Sequence, residues 1–137
     1  MSYGVSAALQ GAIYQALQGD TALDALVGNA IYDAVPSGAI PDTYVVLGAE
    51  TVVDRSDKSG AGAEHRLTIS VQSDEAGFAQ AKEIAGRISD LLQGADLPLA
   101  RGRLVYLNFQ RAVARRIGTG NQRRIDMRFR ARVEDNS

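Results

Sequence analysis

The chain has one histidine, His65, which lies beside Glu64 and shortly after Asp54 and Asp57. An imidazole near carboxylates could form a metal site or an acid–base pair. One imidazole without any cysteine is too few ligands for a transition-metal site, and the aspartate spacing does not match a calcium-binding loop. We therefore interpret residues 54–63 as a mobile, solvated loop that leads into a strand, and we expect no metal and no cofactor.

Two glycines, Gly118 and Gly120, resemble the start of a phosphate-binding loop, but Asn and Gln follow them. A phosphate loop needs a helix that presents its backbone amides, and usually a lysine. Neither follows here. The glycines are typical of the turn of a β-hairpin.

Arginine is concentrated near the C-terminal end. Residues 1–100 have a formal charge of −8 and residues 101–137 have +7, which together give the net charge of −1. We expect a subunit or partner interface at the arginines of this region: Arg111, Arg115, Arg116, Arg123, Arg124, Arg128, Arg130 and Arg132. Such asymmetry indicates contact with an acidic protein surface, an acidic neighbouring subunit or nucleic acid.

Two other interpretations of the arginines remain open. Charged side chains on an exposed strand also maintain solubility and discourage edge pairing. A basic sheet could instead bind nucleic acid, but its arginine face carries no interleaved aromatic residue and no recognition motif accompanies it. The pattern favours protein–protein contact over a merely solvated face, and either of these over direct DNA binding.

The elements that position these residues can be predicted from periodicity. Apolar residues at helical spacing predict a helix that ends at Gly19, and Asp20 can cap a short second helix that ends at Gly28. Strands are predicted around residues 44–47 and 66–72, and Ser73 is the predicted N-cap of a third helix that ends near Gly94. A hairpin over residues 103–133 completes the order. This order predicts an α+β fold: a mainly antiparallel four-stranded sheet with two longer helices and one short helix packed on one face.

The last predicted strand alternates between apolar and charged residues, so a shift of one residue would bury arginines. In the preceding strand, Arg111 has the same parity as the apolar Leu107 and Phe109. A β-bulge, or a solvent-exposed upper end of the hairpin, would resolve this conflict. We expect one domain over residues 1–137, with residues 134–137 as a frayed tail.

Composition is that of a globular protein, with 45% hydrophobic and 23% charged residues. No apolar run is long enough for a membrane span, and the N-terminal residues do not resemble a secretion signal. The absence of cysteine fits synthesis in the cytoplasm and excludes thiol nucleophiles and disulfides. Together with the single histidine, it argues against an enzyme.

The order of short motifs resembles the tail-terminator, or tail-completion, family of long-tailed phages and phage-like gene transfer agents. The similarity rests on Leu17 with Asp20, on Leu23 and the segment ALVG at 25–28, and on IYD at 31–33. It continues with Pro36, PDTYVVLG at 41–48, Ser59-Gly60 leading into EHRL at 64–67, Leu91-Leu92, LPL at 97–99 and RFRARVE at 128–134. It spans nearly the whole chain.

The resemblance implies a structural virion protein without catalysis. Such proteins form a homo-hexameric ring on the head-proximal end of the tail tube, where they stop polymerisation of the tube protein and receive the head-side stopper or connector. DNA passes through the lumen without specific recognition, and no membrane is involved. The implied location is the tail or neck of the particle, after synthesis in the host cytoplasm.

The glycines and charges of residues 54–63 suit a docking segment that orders on binding. Its candidate contact residues are Asp54, Arg55, Asp57, Lys58, Gly60 and Gly62. Two alternatives to the terminator role stay open: another head–tail connector protein such as a stopper, and a small basic nucleic-acid-binding module.

Overall fold

A computed structural model describes residues 3–38, 40–58, 60–74, 77–118 and 122–135. Three helices and five strands follow in the order α1 (Ser6–Gln18), α2 (Thr21–Val27), β1 (Ile31–Tyr32), β2 (Tyr44–Asp54), β3 (Ala61–Ser73), α3 (Ala79–Leu92), β4 (Arg103–Arg116) and β5 (Arg123–Asp135).

The first two helices begin and end where the sequence predicts. Helix α1 stops at Gly19, and the Asp20 carboxylate accepts a hydrogen bond of 2.9 Å from the amide of Leu23 at the start of α2. Asp20 also accepts two hydrogen bonds from Arg87 of α3, at 2.8 and 2.6 Å. Asp20 thus caps α2 and also forms the ion pair that joins the start of α2 to α3.

The predicted N-cap of the third helix is wrong. Ser73 is the last residue of β3, and its buried side chain lies within hydrogen-bonding distance of Thr43 and Gln80. Helix α3 begins at Ala79 after Phe78, without a side-chain cap. The positive φ of Gly77, 94°, lets the chain turn between the strand and the helix.

The sheet has the strand order β1-β2-β3-β5-β4. Its four long strands pair antiparallel, as predicted. The prediction of four strands is nevertheless short by one, since Ile31 and Tyr32 pair in parallel with Val45 and Val46 of β2. Two residues are too few for period-2 alternation, so this strand leaves no signal that separates it from a loop.

Strand β5 has the predicted register. Its apolar residues are buried, namely Ile125, Met127, Phe129, Ala131 and Val133. In β4, both of the expected features resolve the parity conflict at Arg111: a β-bulge and a solvent-exposed end of the hairpin. The register of β4 to β5 shifts between Leu104 and Tyr106 and again between Phe109 and Arg111, and residues 109–116 are exposed.

All three helices pack against one face of the sheet. Their buried side chains, such as Leu9, Leu23 and Ile88, form a single core cluster with Leu67 and Phe129 of the central strands. We call this side the helix-bearing face and the opposite side the outer face. The outer face carries the polar members of the alternating strands, so it lies outside the core.

Two boundaries differ from the sequence-based ones. Asp54 belongs to β2 and residues 61–63 to β3, which narrows the predicted loop to residues 55–60. The predicted frayed tail is ordered through residue 135, because Glu134 and Asp135 pair with Arg103 and Arg101. Within the described residues, the helices are too short and too polar for any of them to cross a membrane.

Candidate interaction surface

The outer face is organised in cross-strand rows. Six of the eight candidate arginines lie on it: Arg111, Arg115, Arg124, Arg128, Arg130 and Arg132. Four of them, Arg124, Arg128, Arg130 and Arg132, alternate with the buried residues of β5. Arg111 and Arg115 follow the second register shift of β4, which turns them to the same side of the sheet. The bulge is therefore what completes this surface.

The other two arginines point to the helix-bearing side. Arg116 and Arg123 are register partners near the closed end of the hairpin. The Arg123 guanidinium lies 5.3 Å from the centre of the Phe78 ring, which is a cation–π contact with the residue before α3. The turn that follows Gly118 includes residues 119–121, which lie outside the described residues, although Ile117 and Gln122 form a backbone hydrogen bond across its base.

Several outer-face arginines are neutralised within the chain at Asp126. This carboxylate accepts hydrogen bonds from Ser70 at 2.6 Å and from Arg124 at 2.7 Å, and Arg115 lies 3.4 Å away. Burial raises the pKa of Asp126, but its hydrogen bonds to Ser70 and Arg124 outweigh burial and lower the pKa below its usual value. Asp126 is therefore ionised at neutral pH and holds two arginines in place.

A second carboxylate, Glu64, organises the other end of the face. It is buried, and Arg66 binds it at 2.9 Å while Arg55 and Arg130 approach to 4.0 Å. Arg132 instead donates a hydrogen bond of 2.9 Å to the backbone oxygen of Arg55. These contacts hold the arginines against the rest of the chain, so part of their positive charge is balanced within it.

Arg111 and Arg128 differ from these residues. They are exposed register partners on β4 and β5, yet neither forms an ion pair or a side-chain hydrogen bond with any other residue in the described ranges. Both line two shallow depressions, of about 280 Å³ toward Asp126 and about 390 Å³ toward Glu64. The structure thus brings two unneutralised cations together between two carboxylates.

Strand β4 forms an outer edge of the sheet, and no strand of the described part of the chain pairs with its second edge. Three of the five large hydrophobic side chains that are exposed in the described residues lie on it: Val105, Phe109 and Val113. Long apolar edges are normally covered or blunted in monomeric proteins. At the other side of the sheet, β1 covers only Val45 and Val46, so residues 47–54 of β2 form a second open edge.

The candidate docking segment forms the end of the β2–β3 hairpin. Asp57 and Gly60 form an isolated bridge, the Asp54 carboxylate accepts hydrogen bonds from the amide and the hydroxyl of Ser56, and the amide of Arg55 donates to the oxygen of Gly62. Arg55, Asp57 and Lys58 are exposed. An added Cβ at Gly62 would lie 2.9 Å from the Arg55 oxygen, so close approach of two backbones requires this glycine.

His65 lies in the strand that the predicted loop leads into. It is fully buried in β3, and its Nδ1 lies 3.0 Å from Oε2 of Glu50 on β2. The hydroxyls of Tyr3 and Ser6 donate to the same carboxylate, each at 2.8 Å. Sequence reasoning missed Glu50 because it examined the carboxylates before His65 in the loop and not those of the strand that pairs with it.

No group of three or more potential metal ligands occurs among the described residues. The His65 cluster therefore joins the start of α1 to the sheet as a structural network. The outer face and the open edges are exposed surfaces that are available for contacts.

The family model described as "Tail completion protein gp17" matches residues 11–134. A solved structure titled "Virion of native gene transfer agent (GTA) particle" contains a chain that is 60% identical. The match covers 97% of this chain and 99% of that chain, with a TM-score of 0.92. None of the curated proteins matches.

Proposed function

The chain belongs to the tail completion protein family, and from this membership we propose that it forms a hexameric ring that caps the head-proximal end of a tail tube. The observation that carries the proposal is the similarity over almost the whole chain to a component of a gene transfer agent virion. Membership makes the chain a structural tail protein of a phage-like particle. The ring and its position are the finer part of the proposal.

The two open edges of the sheet support a closed ring. They are different surfaces, so a contact between them is heterologous, and such contacts generate rings when the rotation closes. Strand β4 runs antiparallel to β2, which suits antiparallel pairing between neighbouring copies. Symmetric pairing of β4 with β4 would instead bring together the arginines of two copies, Arg111, Arg115 and Arg116, at a cost in free energy.

The remaining surfaces are assigned to partners. The outer-face arginines contact acidic groups of the adjacent subunit or of the major tail tube protein. The exposed hairpin end with Arg55, Asp57 and Lys58 docks on the tube or on the head-side connector. DNA crosses the lumen without sequence-specific recognition, because the described residues contain no recognition helix. The outer face does carry an aromatic residue, contrary to the expectation from the sequence: the Tyr106 ring lies 5.5 Å from the Arg130 guanidinium.

The decisive experiment removes the protein from the particle that it completes. Tails assembled without it should be longer than normal and variable in length by negative-stain electron microscopy, and expression of the intact chain should restore the length. Tails of normal, uniform length in its absence would refute the terminator role.

A further inference from the structure

Among the described residues, the outer face contains one cross-strand pair of arginines that has no carboxylate partner. Arg111 and Arg128 stand directly opposite each other on β4 and β5, and like charges in that position destabilise a sheet. The neighbouring arginines have partners: Arg115 and Arg124 bind Asp126, and Arg66 binds Glu64. The other cross-strand arginine pairs of the outer face, Arg115 with Arg124 and Arg66 with Arg130, lie beside a carboxylate, so this pair is the one whose charge is available to an external anion among the described residues.

We propose that Arg111 and Arg128 form a binding site for one or two carboxylates of a partner protein, and not for a nucleic-acid backbone. The identity of this partner protein rests on the proposed function in a phage-like particle. The assignment narrows the set of eight candidate arginines to two. It also specifies the chemistry that they recognise.

The negative charges on either side of the arginine pair favour a carboxylate ligand over a nucleic-acid strand. Asp126 lines the depression on one side of the arginine pair, and Glu64 lines the depression on the other. A nucleic-acid strand carries a phosphate at every nucleotide, so it would place further negative charges against these two carboxylates. An Asp or Glu side chain brings its charge only to the pair.

The donor geometry of the two guanidinium groups also favours a carboxylate ligand. The guanidinium group presents a planar fork of N–H donors that matches the two oxygens of a carboxylate. Both side chains are exposed, so they can turn toward a ligand without breaking an internal bond. The adjacent exposed Val113 offers apolar contact to the stem of an approaching Asp or Glu side chain.

The test uses the purified full-length protein and two probes, an end-blocked hexapeptide of glycine and serine that carries two adjacent glutamates and a twelve-base-pair DNA duplex. Binding is measured at physiological salt by NMR, from the Nε–H signals of the arginines. The signals of Arg111 and Arg128 should shift most with the peptide, and the peptide should bind more tightly than the duplex.

The variant R111Q/R128Q should bind the peptide at least about tenfold more weakly, since it loses two charge-assisted contacts. The control R101Q/R103Q removes the same charge from two arginines that pair with Asp135 and Glu134 at the open end of the hairpin. It should bind within about twofold of the wild type, because its arginines lie outside the site.

Three outcomes would overturn the proposal: tighter binding of the duplex, equal losses in the two variants, or no binding of the peptide at millimolar concentration. A circular dichroism melt of each variant establishes that both are folded. None of these outcomes bears on the length of tails made without the protein, so the site and the terminator role can fail separately.

Discussion

Nδ1 of His65 and Oε2 of Glu50 lie 3.0 Å apart between the neighbouring strands β3 and β2, and His65 is fully buried. Tyr3 and Ser6 reach the same carboxylate from the start of α1. Burial raises the pKa of Glu50, but the hydrogen bonds from His65, Ser6 and Tyr3 outweigh burial and lower the pKa below its usual 4.5. The network thus depends on an ionised Glu50.

Replacing Glu50 by Ala should lower the free energy of unfolding by about 1–3 kcal/mol, since the buried His65 and Ser6 lose their acceptor. Urea unfolding at pH 7 measures the loss. The control Glu83→Ala changes an exposed carboxylate on α3, and it should have little effect. Equal losses in the two variants would contradict the structural role of Glu50.

The same network predicts a dependence on pH. A carboxyl group whose pKa is depressed in the folded state stabilises the protein above its unfolded pKa, and the stabilisation disappears as pH falls through the folded value. The wild type should therefore lose stability below about pH 4.5. Glu50→Gln should lose less over this range, because it has no charge at that position to titrate. Parallel stability curves for the two proteins would argue against an ionised Glu50.

Asp20 should contribute more than an ordinary helix cap. Its pKa is lowered chiefly by the hydrogen bond from Arg87. Asp20→Ala removes the cap and the ion pair with Arg87, so it should cost more than the roughly 1 kcal/mol that is typical of an N-cap alone. Asp20→Asn keeps a capping oxygen but not the charge, so it should fall between Ala and the wild type in a thermal or urea melt. Identical stability of the Ala and Asn variants would mean that the cap contributes nothing.

Gly102 should not tolerate a side chain. Its φ is 73°, and an added Cβ would lie 2.6 Å from the Glu134 oxygen and 2.9 Å from a methyl group of Val5. Gly102→Ala should destabilise the protein by more than the roughly 1 kcal/mol expected from the backbone conformation alone. Gly38→Ala is the matched control, with a φ of 93° and open space around it. The two variants should differ in chemical denaturation, and equal effects would contradict the clash.

The ring can be tested by cross-linking, because the chain has no cysteine. Val113→Cys on β4, combined with Thr51→Cys or Val53→Cys on β2, should give covalent oligomers up to the hexamer when assembled particles are oxidised. All three positions point to the outer face. Each single variant should remain monomeric on a denaturing gel. Dimers of the Val113→Cys variant alone would indicate symmetric pairing of β4 and contradict the edge contact.

Much of the fold follows from local patterns in the sequence. The alternation in β5 and the stops at Gly19 and Gly28 predict elements that the structure confirms, because each depends on neighbouring residues. What could not be predicted depends on pairing across the sheet. The contact between Glu50 and His65 depends on the register of β2 against β3. Strand β1 forms through its pairing with Val45 and Val46 of β2.

The same reason limits the prediction of the candidate surface. Composition shows that arginine is concentrated at the C-terminal end, but not which arginines are already neutralised. Arg124 and Arg128 are indistinguishable in the alternating pattern, and only the cross-strand neighbours separate them. Ser70 and Asp126 flank the first, whereas Arg111 faces the second.

The irregularities of the sheet are unevenly distributed. The shifts of register lie in the outer pairs, β2–β3 and β4–β5, whereas the central β3–β5 ladder runs through thirteen consecutive pairs without one. Bulges bend and twist a strand locally, so the margins of the subunit can follow the curvature of a neighbour. A force along the central strands loads all of their hydrogen bonds together. The subunit therefore combines a mechanically stiff centre with compliant margins, which suits a joint that must carry load between two larger bodies.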